Sequence, residues 1–168
     1  MKIHHVVYDY NLLLKIAGPD FNETYFRQFE GAGVESMVKI PKMCECNTDS
    51  MMEFEAVRHV AEKGTWPMWL SGIFTQESNL IDILRCNNAT EAIDALWEPD
   101  VVGKKVASYT GTENKNIELQ KLYDSICADK YSSEIFACRQ DFHDYVNAWM
   151  RPWVFAAKNG YAIGYQSG

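Results

Sequence analysis

The chain has 168 residues, 47% of them hydrophobic and 23% charged, which fits one globular domain and excludes a disordered chain. Sixteen basic against 23 acidic residues give a formal charge of −7, and the longest basic run is Lys104–Lys105, so there is no positive stripe to displace nucleic-acid counterions. Five cysteines at irregular intervals from Cys44 to Cys138 lack the density of a disulfide-built scaffold, and no window approaches the roughly 18 apolar residues that cross a bilayer.

From the N terminus, Val6, Tyr8 and Tyr10 alternate with Val7, Asp9 and Asn11, which predicts a strand through Tyr10, and Leu12-Leu13-Leu14 suits the start of a buried helical turn. After Gly18-Pro19, Asp20 and Glu23 form a capping box for a helix that carries Phe21, Tyr25 and Phe29 and ends near Glu30. Only Ser36 to Ile40 leaves room for a short strand before Pro41. Ser50 and Glu53 cap a helix over 50–63 with Phe54, Val57 and Ala61 on one stripe and Gly64 as its terminator.

Thr65-Trp66-Pro67 restarts the chain as a short aromatic helix or turn that runs through Met68-Trp69-Leu70 to Phe74. Two short helices follow, one from Ser78 to about Cys86 and one capped by Asn88 and Glu91 that ends before Pro99. Residues 99–112 hold two glycines and read as a strand over 105–109 or as a loop. Leu119, Leu122 and Ile126 predict a helix over 113–128, and Ile135, Phe142, Tyr145, Val146 and Trp149 predict the longest helix, over 133–150, with Pro152 ending or kinking it. Tyr161 to Tyr165 alternates like a strand suited to pair with the N-terminal run. The expected fold is mainly α, a compact helical domain over 1–168 with a minor β component, α+β being the alternative.

Three constellations bear on function. Trp66, Pro67, Met68 and Trp69 beside the acidic residues Glu55 and Glu62 would set an apolar anchor next to carboxylates that match a basic partner surface. Glu55, His59 and Glu62 share one side of the 50–63 helix and, joined by His143, have the residue types of a divalent-metal site. Cys44-Glu45-Cys46 is too closely spaced for a zinc knuckle. His143-Asp144 resembles the dyad of metal-dependent phosphohydrolases, but the aspartate expected downstream is missing.

Gln76-Glu77-Ser78-Asn79-Leu80, after the apolar stretch Trp69 to Phe74, resembles the catalytic-glutamate region of lytic transglycosylases; the resemblance implies Glu77 as a general acid in an apolar surround. The Gly-Leu-Met-Gln-like segment of that family is absent downstream. The leading expectation is a cytoplasmic protein that acts by binding a partner protein, as an inhibitor or adaptor, with no cofactor, nucleic acid or membrane involved. A small hydrolase, glycan-cleaving through Glu77 or metal-dependent, is the alternative.

Overall fold

In a computed structural model, residues 2–17, 35–48, 50–61, 63, 70, 73–74, 93–111, 113 and 115–167 are described. Strand β1 (Ile3–Tyr8) runs antiparallel to both its neighbours, β2 (Met37–Val38) and β3 (Ala162–Ser167), giving the order β2-β1-β3. The β1–β3 ladder is complete from Ile3↔Ser167 to Tyr8↔Ala162, so the alternation at the two ends of the chain meets as expected. β1 stops two residues before the predicted Tyr10 because Asp9 caps the next helix, α1 (Tyr10–Ala17): its Oδ1 accepts from Leu12 N at 3.1 Å.

Helix α2 (Met51–Ala61) starts where the capping serine predicts, with Met52 N donating to Ser50 Oγ at 3.3 Å, and buries Phe54, Ala56, Val57, Val60 and Ala61. Helix α3 (Pro99–Gly111) overturns the expected strand or loop over 99–112. Pro99 sits at a first-turn position, where its missing N–H costs no bond, and Val102 and Val106 face inward one turn apart. Gly103 and Gly111 interrupt neither that stripe nor the helix. The predicted helices over 20–30, 66–74 and 78–97 fall wholly or partly outside the described residues.

Helix α4 (Lys115–Ala128) buries Leu119, Leu122 and Ile126. The long helix α5 (Arg139–Asn159) begins later than predicted, because turns fill 129–138, and it passes through Pro152 rather than ending there. An interior proline costs about 3 kcal/mol, which is offset by the burial of Trp149, Trp153 and Ala156 on either side of it. Cys138, expected inside a helix, is instead the extended residue that precedes α5. α5 ends at Gly160, whose φ of 68° is left-handed; its N–H donates to Ala157 O and that of Tyr161 to Ala156 O.

The described residues thus form a mainly helical domain of five α-helices with one small sheet. Its core lies where α5 crosses the sheet: Trp149, Trp153, Tyr165, Phe54 and Phe74 are all fully buried there. Trp97 closes the outer edge of β3 through paired main-chain bonds with Ile163, of 2.9 and 3.2 Å.

Candidate functional site

Of the residues singled out from sequence, Trp66, Pro67, Met68, Trp69, Glu62 and Glu77 lie outside the described residues. Glu55 and His59 lie on the outer side of α2, where with Met52, Tyr131 and Ile135 they line a groove of about 350 Å³. Glu55 is paired with Arg58 at 3.6 Å, and Asp129 lies 3.3 Å from Lys63 Nζ and 3.5 Å from His59 Nε2. At that separation the imidazole nitrogen makes no hydrogen bond to the carboxylate. Desolvation alone would raise the Asp129 carboxyl, but hydrogen bonds from Ser132, Lys63 and the Tyr131 backbone outweigh it and hold the group below its ordinary value. Glu55, which lines this groove, and the neighbouring Asp129 therefore each have a cationic partner.

His143 sits on α5 next to Arg139, and burial followed by that guanidinium lowers its pKa. Among the described residues no group of three or more His, Cys, Asp or Glu side chains is placed to hold a metal ion. Among the described residues, Cys44, Cys46, Cys127 and Cys138 form no disulfide.

A larger groove, of about 500 Å³, runs along α5. Its floor is Met150, Val154 and Phe155, and its opposite wall is Pro41, Met43 and Cys44 from the short 3-10 turn Lys42–Cys44. Met43 is 84% exposed. Arg151 and Lys158, two helical turns apart, flank the apolar strip, and neither makes an ion pair among the described residues. Tyr109 OH donates to Asn147 Oδ1 at 2.8 Å along the same groove.

Inside the domain a polar cluster lies between β1, α5 and β3. Tyr165 OH accepts from Trp149 Nε1 at 2.9 Å and Trp153 Nε1 at 3.1 Å, which satisfies two buried indoles with one hydroxyl. The His5 ring packs edge-on against Trp149 and Tyr165, with centroids 4.4 and 5.1 Å away. Part of the residue reaches solvent, but its Nε2 is buried without a hydrogen-bond partner, as is Tyr145 OH. Desolvation, then the charge of His4, lowers the His5 pKa to about 3, against a smaller upward effect of a hydrogen bond with the Trp149 backbone. The ring is neutral near pH 7. Desolvation is also the main cause of the raised Tyr145 pKa, to which Cys46, Tyr165 and Glu53 add.

Neither the α5 groove nor the His5 cluster was among the sequence candidates. The i, i+7 spacing of Arg151 and Lys158 on the longest helix was the available signal for the first. The second depends on strand register, which the sequence did not specify.

These features define the class: a mainly helical domain with a small antiparallel sheet and grooves on its helical faces. Among the described residues no helix is long and apolar enough to cross a membrane. No family model, no curated protein and no solved structure matches the chain.

Proposed function

We propose that the protein acts by binding a partner protein, and that the groove along α5 receives an acidic amphipathic segment of that partner. The carrying observation is a pair of cations, Arg151 and Lys158, that make no ion pair among the described residues and flank an apolar strip in a chain whose net charge is −7. Against that background the groove favours carboxylates next to apolar side chains. Charge complementarity then sets orientation and on-rate, while Met43, Val154 and Phe155 supply apolar contact. Exposed methionine suits such a surface because its unbranched thioether adapts to different side chains.

This differs from the basic partner expected beside Glu55, because Glu55 is already engaged by Arg58. The Trp66–Trp69 turn and Glu62 enter only as a second proposed contact, on sequence grounds alone. A hydrolase acting through Glu77 gains no support from the described residues, since Glu77 lies outside them.

The test uses two synthetic amphipathic helices with the same leucine pattern, one with glutamate and the other with lysine on its polar face. The glutamate peptide should bind more tightly, with affinity falling as salt rises, and the double variant R151E/K158E should reverse the preference. Equal affinities, or an unchanged preference in the folded double variant, would refute the proposal.

A further inference from the structure

The β1–β2 ladder ends early, and what replaces it is chemically specific. Asp9 N donates to Ser36 O at 2.9 Å and Val7 pairs with Val38, so the odd-numbered residues of β1 direct their main-chain N–H and C=O groups toward β2. The same alternation sends those of His5 to that side. Continued, the register would place Ile40 opposite His5, but β2 ends at Val38. Pro41 holds an extended conformation, φ −57° and ψ 143°, the chain turns away through Lys42–Cys44, and it rejoins β1 only at the bridge Lys2↔Ser50.

The gap is a cleft of about 440 Å³, within the range of small-ligand sites. Val38 and Ile40 give it apolar walls, and Lys39 and Glu45 give it one charge of each sign. Cys46 and Pro152 also line it. Beyond Cys46 lies the interior polar cluster, in which His5 Nε2 and Tyr145 OH are buried without partners.

We propose that the cleft binds a short extended peptide of about three residues, which completes the broken ladder by pairing its own N–H and C=O with those of His5. Main-chain pairing supplies affinity irrespective of sequence, and the apolar walls select the side chains that point inward. The bridge at Ser50 and the pair at Val38 close the two ends, which limits the ligand to a few residues. This site and the α5 groove are lined by different residues.

The probe is acetyl-Val-Leu-Val-amide, titrated into uniformly 15N-labelled protein. The amide resonances of His5, Ile40 and Cys46 should shift and saturate together, while that of Val7, already paired, should stay in place. The same peptide N-methylated at leucine loses a donor and should bind about tenfold more weakly. In the variant I40W, the bulkier side chain should fill the cleft and abolish the shifts. Absence of saturable shifts at His5, equal binding of the N-methylated peptide, or shifts confined to Met43 and Val154 would each overturn the proposal. The comparison of the two peptides uses native protein, so it decides the matter even if I40W does not fold.

Discussion

His5 shows how one residue is decided by its surroundings. Of the adjacent histidines, His4 is exposed, whereas the His5 ring is held against Trp149 and Tyr165. Its pKa of about 3 in the fold, against an ordinary 6.5, means that the unfolded chain takes up the proton first as pH falls. Stability from this group is therefore complete above pH 6.5 and declines by about 1.4 kcal/mol per pH unit toward 3. The variant H5F keeps the ring contacts but cannot titrate. Its loss of stability between roughly pH 7 and pH 4.5, read from denaturant midpoints, should be about 2 kcal/mol or more smaller than that of the native chain. Parallel acid limbs in the two proteins would show that the imidazole is not the acid-sensitive group.

At the scale of elements, the end of α5 is specified by local chemistry. Gly160 is left-handed, its two cap bonds hold the last carbonyls, and Phe155 packs on Tyr161 across the turn with centroids 6.0 Å apart. The variant G160A has open space around the added methyl, so any loss comes from backbone strain alone. About 1 kcal/mol is expected, measured as a lower denaturant midpoint at unchanged slope; an unchanged midpoint would mean the cap does not carry the helix end.

The same comparison shows what sequence patterns could and could not convey. Ser50 and the two terminal alternations were legible because each depends on local chemistry: a cap and a period of two. The helix α3 was not, because Gly103 and Gly111 look like breakers until Val102 and Val106 find a surface to cover. The early stop of β2 was equally hidden, since the broad Ser36–Ile40 estimate is satisfied by a two-residue strand. The site residues fared worse than the elements, because the His5 cluster gathers groups more than 100 positions apart in the chain.

For the molecule as a whole, aromatic burial dominates. Trp97, Trp149 and Trp153 are each less than 5% exposed, and the last two are tied to Tyr165. In the variant W66F/W69F these three indoles are the sole source of tryptophan fluorescence, and iodide should leave nearly all of it unquenched. Substantial quenching would mean that the α5–sheet core admits solvent. The difference in accessible signal between native and variant protein then measures the exposure of Trp66 and Trp69 directly.

Residues 39–46 form a partition with two working faces. Lys39, Ile40, Glu45 and Cys46 look toward β1, while Pro41, Met43 and Cys44 look toward α5. A guest that pushes this thin wall from one chamber alters the shape of the other, and thermodynamic reciprocity requires that the second guest feel the first to the same degree. Two occupants that never touch would then communicate through eight residues of chain.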